Sequence, residues 1–200
     1  MSSLSLEIKA RCSDSGRIRK ILFARGASFK GLDRQVDTYF RVPSGRLKLR
    51  EGNIENVLIY YKRADQKHSK RCDSTLYECP DGSVLKKVLA VALGILAVVD
   101  KKREIYFLES VKFHIDRVKK LGSFVEVEVF ERKGSTGMAR LRKQCEFFQK
   151  ILGIRVKDLV ADSYSDQLLR LQSRERKTDK GYRMSLKPVF RHPSSFILFK

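Results

Sequence analysis

The sequence predicts an α+β fold in which two-faced antiparallel strands close into a barrel with helices packed outside it. The stretch "SLSLEIKA" (residues 3–10) alternates polar and apolar residues with period two, which is typical of a strand with one wet and one dry face. Several later segments repeat this alternation, and segments with helical spacing lie between them. The alternation alone also fits a sandwich whose charged face meets solvent.

Composition indicates one globular domain that is attracted to polyanions. With 200 residues, 42% of them hydrophobic, the chain can bury a core without disulfide or metal support. The formal net charge of +20 predicts a nucleic acid, an anionic membrane or a phosphorylated small molecule as partner. Charge alone does not choose among the three.

Cysteines and apolar runs indicate an intracellular, cytoplasmic protein. The four cysteines are far apart and form no C-x-x-C pair, which argues against a zinc site and a disulfide framework. The longest apolar run, residues 88–99, is shorter than the roughly 20 residues of a membrane span, and it predicts a buried helix running into a strand. We therefore expect a soluble protein without a membrane span.

The first half of the chain predicts one helix and five strands. Asp14 and its serine neighbours can cap a helix, Ile18 and Leu22 have helical spacing, and Gly26 can end it. The alternation of "RLKLRE" indicates a strand with a cationic face. The strands are expected near residues 3–10, 35–41, 46–51, 56–65 and 70–79, where the last four follow the helix.

The second half predicts a helix, three strands and a further helical region. Ser83 and Gly94 can bound the helix. The strands are expected at "ILAVVDKKREIYFL", "VKFHIDRV" and "FVEVEVF". An amphipathic core-packing helix is expected from the spacing of Met138, Leu141, Cys145, Phe148 and Leu152. A short helical segment follows, the domain is expected to end at residue 172, and residues 173–200 form a basic tail.

Charged residues share one face of five predicted strands, and the opposite faces are almost wholly aliphatic. If helices cover the aliphatic faces, the charges converge inside the barrel, where cations and carboxylates must pair with one another or with a bound polyanion. Lysine and arginine suit a chain of phosphates, and carboxylates suit Mg²⁺ or Mn²⁺. The polar faces are Ser5/Glu7/Lys9, Arg46/Lys48/Arg50, Lys101/Arg103, Lys112/His114/Asp116 and Glu126/Glu128.

Several of these motifs, in this order, resemble the CYTH superfamily, which is named for class IV adenylyl cyclase and thiamine triphosphatase. The motifs are "LEIKA", "GRLKLRE", "LIYYKRAD", "VVDKKREIYFL", "HIDRVKKLGSFVEVEV" and "SYSDQLL", and they are most similar to the cyclase-type branch. The resemblance covers residues 4–169. It implies an eight-stranded antiparallel tunnel that binds a triphosphate with a divalent metal.

The resemblance also implies roles for individual residues. The triphosphate would be bound by the catalytic cations Lys9, Arg50, Lys62, Lys101 and Arg103, together with Lys48. Mg²⁺ or Mn²⁺ would be bound by Glu7, Asp116, Glu126 and Glu128. Tyr164 and Asp166 match a further motif that closes the tunnel or contacts substrate. Ser5 departs from the family, which has a glutamate there, and a serine hydroxyl is a weaker metal ligand.

Two reactions follow from the resemblance, and a binding function stays open beside them. The enzyme would either convert ATP to cyclic AMP and pyrophosphate or hydrolyse a triphosphate such as ATP, thiamine triphosphate or tripolyphosphate. The alternative is a catalytically weak or inactive module that binds polyphosphate, a nucleotide or RNA, because +20 exceeds what one triphosphate requires. A homodimer also stays open.

Overall fold

The strands close into one barrel. The computed structural model describes residues 2–63, 69–130 and 137–185. In these residues the barrel order is β1-β5-β4-β3-β2-β6-β7-β8, and every neighbouring pair, including β8 with β1, is antiparallel. The strands are β1 (Ser2–Arg11), β2 (Ser28–Phe40), β3 (Arg46–Glu51), β4 (Val57–Arg63), β5 (Lys70–Glu78), β6 (Ile95–Leu108), β7 (Val111–Val118) and β8 (Gly122–Phe130). The predicted eight-stranded antiparallel barrel is confirmed.

Four helices of the described residues lie outside the strands, as predicted. They are α1 (Ser15–Ala24), α2 (Ser83–Leu93), α3 (Met138–Ile151) and α4 (Tyr164–Ser185), and a 3-10 turn at Val156–Asp158 precedes α4. The side chain of Asp14 caps α1 by accepting from the backbone N–H of Arg17 at 2.9 Å. Among the described residues, no helix is both long enough and apolar enough to cross a membrane.

The larger outer core explains the alternation of β1. The apolar side chains of β1 point out of the barrel and pack beneath α1 and α3, so that Ser5, Glu7 and Lys9 point inward. Removing this aliphatic surface from water stabilises the helices against the barrel. The core contains Leu6, Ile8, Ala10, Ile18, Leu22, Phe113, Val125, Val127, Leu141, Cys145, Phe148 and Leu152.

The helix α2 differs from its predicted burial. Leu85 and Leu89 pack against the outer faces of β2 and β3. Val88 and Val91 point to solvent, and Val91 is 90% exposed. The helical part of the apolar run 88–99 therefore lies on the surface, because the barrel is large enough to cover only one side of a single helix.

Two predicted boundaries also differ. The strand β2 begins at Ser28, seven residues before the predicted start near Gln35. The helix α4 runs to Ser185, so the boundary expected at residue 172 falls inside a helix. Residues 186–200 of the predicted tail lie outside the described residues.

One end of the barrel is filled by side chains where α4 begins. Ser163 and Asp166 form a capping box, in which the Asp166 N–H donates to the Ser163 Oγ at 3.1 Å and the Ser163 N–H donates to Asp166 at the same distance. This cap directs Tyr164 into the barrel, where its ring centroid lies 4.9 Å from that of Phe124. The closed end, as we name it, consists of the buried side chains Tyr39, Val99, Val118, Phe124, Tyr164 and Leu168.

Candidate functional site

The interior of the barrel encloses a cavity of about 950 Å³ that is lined by charged side chains from seven strands and the β3–β4 loop. We name the end of the barrel opposite α4 the mouth. The lining cations are Lys9, Lys30, Lys48, Arg50, Lys101, Arg103 and Lys112. The lining carboxylates are Glu7, Asp37, Glu55, Glu78, Glu126 and Glu128. The predicted convergence of charged strand faces inside the barrel is therefore observed.

Asp37 is the centre of the strongest cation cluster, and the sequence reasoning missed it. One carboxylate oxygen accepts from Lys48 Nζ at 2.8 Å and from Lys101 Nζ at 2.7 Å, and the other accepts from Arg50 Nε at 2.9 Å. Burial opposes ionisation, but Arg50, Lys101 and Lys48 outweigh it and hold the pKa of Asp37 well below its usual value. Three cations around one carboxylate leave an excess of positive charge for an anionic ligand.

Burial and the excess positive charge together destabilise the charged form of Lys101. Its side chain is fully buried. Burial lowers its pKa to about 7, Asp37 opposes the shift, and the neighbouring Arg50 and Arg103 add to it. An anion that entered this cluster would restore the charged form of Lys101.

Arg103 is held rigidly by two carboxylates. Its Nε donates to Asp116 Oδ1 at 2.7 Å, and its Nη2 donates to Asp116 and to Glu126 Oε2 at 2.7 Å. The Tyr164 hydroxyl donates to Asp116 Oδ2 at 2.8 Å. Both Asp116 oxygens are therefore occupied, and Asp116 does not line the cavity. In this structure Asp116 positions Arg103, and its role as a metal ligand stays a prediction.

Glu126 is likewise surrounded by cations and by a histidine. Lys9 Nζ lies 3.1 Å from Oε1, and His114 Nδ1 lies 3.2 Å from Oε2. Burial opposes ionisation, but Arg103 first and Lys9 next keep the pKa of Glu126 well below its usual value. Burial also lowers the pKa of His114 to about 4, so that its imidazole is neutral. Glu126 lines the tunnel as the anchor of two cations, which makes it a poor fit to the predicted metal role.

A second unpredicted anchor, Glu55, lies in the loop between β3 and β4. It accepts from Arg50 Nη1 at 2.7 Å and from Lys112 Nζ at 2.5 Å. Asp33 fixes this loop by accepting from the backbone N–H groups of Asn53, Ile54 and Glu55 at 2.8, 3.0 and 3.0 Å. Through Glu55 the loop holds Lys112 of β7 in the cationic lining.

Glu7 and Glu128 are the carboxylates whose setting best fits a metal. They are register partners on β1 and β8. The Ser5 hydroxyl donates to Glu128 Oε1 at 2.9 Å. Burial first, and then the negative charge of Glu7, raises the pKa of Glu128 to about 7. A divalent cation between the two carboxylates would remove the cause of that repulsion.

The donor set suits a metal that is shared with a substrate. Among the described residues, no three His, Cys, Asp or Glu side chains could hold a metal ion together. Mg²⁺ is commonly bound through one or two carboxylates plus substrate phosphates, with water in the remaining positions. Glu7 and Glu128 match that pattern. Of the four predicted ligands, Glu7 and Glu128 fit the ion best, whereas Asp116 and Glu126 already pair with cations.

Lys62 does not belong to the site. Ile59 and Tyr61 of β4 line the cavity, so alternation turns Lys62 to the outer face, where it is exposed. The other predicted cations, Lys9, Lys48, Arg50, Lys101 and Arg103, all line the cavity. Arg46 shares their face but pairs with Asp166 at 2.9 Å near the closed end.

Solved structures with the same fold come from archaea, a bacterium and a plant. PH1012 from Pyrococcus horikoshii OT3 is 25% identical with a TM-score of 0.71, covering 81% of this chain and 98% of that one. A candidate adenylate cyclase from Vibrio parahaemolyticus is 18% identical with a TM-score of 0.67, covering 84% and 99%. The candidate adenylyl cyclase HpAC1 from Hippeastrum, described as having a dominant triphosphatase activity, is 17% identical with a TM-score of 0.54, covering 94% and 100%.

Sequence comparison agrees with the barrel. No curated protein matches the chain. The model of the CYTH domain matches residues 4–164, which include β1 from Leu4, the other seven strands in full and the first residue of α4. Because this match spans most of the 200 residues, the chain belongs to the CYTH domain family.

Proposed function

We propose that this chain is an enzyme that binds an organic or inorganic triphosphate inside the barrel and hydrolyses its terminal phosphoanhydride bond with the help of Mg²⁺ or Mn²⁺. The observation that carries the proposal is the cation cluster around Asp37, in which Lys48, Arg50 and Lys101 share one carboxylate. The excess positive charge in a buried cavity suits a compact polyanion with several oxygens.

The shape of the barrel supports one orientation of the substrate. Tyr164 and Phe124 fill the closed end, whereas Glu55, Lys112 and Glu128 lie towards the mouth. An organic triphosphate would then enter with its terminal phosphate first. That phosphate would reach the cations, and the organic group would stay at the mouth.

The chain's own residues would bind and orient the phosphates. Arg50 and Lys101 would donate charge-assisted hydrogen bonds to non-bridging oxygens, and they would stabilise negative charge on the terminal phosphoryl group as it is transferred to water and the diphosphate leaves. Arg103 would do the same from a fixed position, because Asp116 and Glu126 hold its guanidinium. Preorganised cations of this kind lower the barrier without reorganising during the reaction.

Glu7 and Glu128 would hold the divalent ion near the mouth. When bound, the ion would supply charge neutralisation to phosphate oxygens and polarise the phosphorus for attack. Ser5 stands beside Glu128 as a neutral donor, so two carboxylates would have to suffice. We therefore expect a higher metal requirement than three carboxylates would give.

A second candidate reaction is cyclisation of ATP to cyclic AMP and pyrophosphate. The motifs "GRLKLRE" and "HIDRVKKLGSFVEVEV", which resemble the cyclase-type branch, favour it. The same cations would then bind the β- and γ-phosphates while the ribose hydroxyl attacked at the mouth. The identity of the products distinguishes the two reactions.

The test is product analysis on a substrate panel. Purified protein is incubated with ATP, thiamine triphosphate or tripolyphosphate, each with Mg²⁺, with Mn²⁺ or with a chelator. We expect metal-dependent release of orthophosphate from at least one substrate, a loss of rate in Arg50→Ala, and an unchanged rate in Lys62→Ala, whose side chain is outside the barrel. Binding of all three without any product would contradict the enzyme and leave a binding module.

A further inference from the structure

A row of three cations crosses the outer face of the barrel, away from the tunnel. Arg34 of β2 is the register partner of Lys102 of β6, and Lys102 is the register partner of Arg117 of β7. Register partners in antiparallel strands point to the same face, and all three side chains are exposed. We call Arg34, Lys102 and Arg117 the basic row.

The basic row has no carboxylate of its own within the described part of the chain. None of its three side chains forms an ion pair there. The two nearest carboxylates on the same face of β6 are engaged elsewhere. Asp100 lies 3.6 Å from Lys119, and Glu104 accepts a bidentate pair of hydrogen bonds at 2.7 Å from Arg19. The excess positive charge of the row is therefore open to a partner.

The arrangement is unfavourable for the free protein. Like charges directly opposite one another on adjacent strands destabilise a sheet, and here two such pairs share Lys102. A bound anion would turn this repulsion into attraction. Such a row is therefore better explained by a ligand than by stability.

We infer that the basic row binds the phosphate backbone of a nucleic acid. Adjacent strands are about 4.8 Å apart, so the row spans roughly 10 Å across three strands. One strand of a duplex presents a phosphate about every 3.4 Å of its axis, so each cation can face a phosphate of the same backbone. Two of the three are arginines, whose planar forks match phosphate oxygens. The net charge of +20 favours approach of any such polyanion.

The test compares two triple variants of equal charge. Arg34→Gln, Lys102→Gln and Arg117→Gln remove the basic row, whereas Lys87→Gln, Lys143→Gln and Lys157→Gln remove three exposed lysines on other surfaces. The probe is a labelled 20-base-pair DNA duplex with 5′-hydroxyl ends, which carries no triphosphate for the tunnel. Affinity is measured from low to high salt, and thermal unfolding shows that each variant is folded.

We expect the duplex affinity of the wild type to fall with salt, and the slope of log K against log salt to flatten by about one unit for each residue removed from the basic row. The control variant should keep the slope of the wild type, and hydrolysis of tripolyphosphate should be unchanged in both variants. Equal losses in the two variants would overturn the inference, because net charge alone would then explain binding. Tighter binding of polyglutamate than of the duplex would also overturn it and assign an acidic protein segment instead.

Discussion

Glu7 of β1 lies directly opposite Glu128 of β8, and the hydroxyl of Ser5, which is also on β1, donates to Glu128 at 2.9 Å. Burial and the charge of Glu7 raise the pKa of Glu128 to about 7, while most other lining carboxylates are held below their usual pKa by cations. The tunnel thus separates carboxylates whose pKa is lowered by neighbouring cations from Glu128, whose pKa is raised by burial and by Glu7. This difference is the basis on which we propose Glu128, with its register partner Glu7, as the metal-binding pair.

Glu128→Gln should weaken metal binding and leave the fold intact. The substitution removes a ligand charge with almost no change in volume. We expect the Mg²⁺ concentration for half-maximal turnover to rise by about tenfold or more, since even outer-shell partners of a metal commonly contribute 10–100-fold. Metal titration of product formation measures this rise. An unchanged titration curve would remove Glu128 from the metal site.

Asp116→Asn should lower the stability of the fold and leave metal affinity unchanged, which is the opposite of Glu128→Gln. It leaves the buried guanidinium of Arg103 without its bidentate partner, and breaking a buried ion pair costs about 3–5 kcal/mol. We expect the free energy of unfolding to fall by that amount in denaturant titrations. Glu128→Gln is the matched control and should be close to the wild type in stability. A loss of metal affinity in Asp116→Asn without a loss of stability would restore Asp116 as a ligand.

Arg50→Ala and Lys62→Ala should differ in triphosphate affinity. Arg50 lines the cavity, and a hydrogen bond to a charged group contributes about 1.5–3 kcal/mol, or roughly 10- to 150-fold in Kd. Lys62 points outward and should leave the Kd unchanged. Calorimetric titration with tripolyphosphate measures both. If the two variants lose affinity equally, the inward and outward faces of β4 have been assigned wrongly.

Binding of a triphosphate should take up a proton near pH 8. The pKa of Lys101 is about 7 in the free protein, so its amine is mostly neutral at that pH. Bound phosphates would raise this pKa, which means that roughly one proton enters with the ligand and that affinity falls as pH rises above 7. Titrations in buffers of different ionisation enthalpy count the protons. Lys101→Arg, which stays charged, should lose this uptake; equal uptake in both proteins would contradict the role of Lys101.

Ser5→Glu should tighten metal binding and weaken the metal-free fold. Ser5 is buried beside Glu128, so a glutamate there would place a third carboxylate next to Glu7 and Glu128. We expect a lower melting temperature in chelator, recovery of that loss with Mn²⁺, and a lower metal concentration for half-maximal turnover. Position 5 is no part of the metal site if Mn²⁺ stabilises the variant and the wild type equally.

The alternating strands could be predicted well because their two faces differ in polarity. In β1 and β3 the alternation correctly turned Lys9 and Arg50 inward. In β4 the run "VLIYYKR" is apolar or aromatic at successive positions, so its sequence does not show which residues point into the barrel. The prediction that Lys62 points inward rested on the order of the motifs alone. Tyr61 occupies the inward position instead.

The anchors of the tunnel could not be predicted because they depend on contacts across the barrel. Asp37 lies in a strand with aromatic neighbours on both faces, although the spacing of Gln35, Asp37 and Tyr39 is a usable signal for its inward face. Glu55 reaches the lumen only because Asp33 holds its loop. The pairing of Asp116 with Arg103 instead of a metal follows from cross-strand register, which the sequence of either strand alone does not contain.

The most direct measurement is the reaction of ATP with the full chain and Mg²⁺ in ¹⁸O-labelled water, with all products analysed by mass spectrometry. If the terminal phosphate enters the cation cluster and water attacks it there, the products are ADP without label and orthophosphate carrying one ¹⁸O atom, and Arg50→Ala forms them more slowly than Lys62→Ala. Formation of cyclic AMP and pyrophosphate, label in the nucleoside diphosphate, or no product from ATP, thiamine triphosphate or tripolyphosphate would contradict hydrolysis in the tunnel.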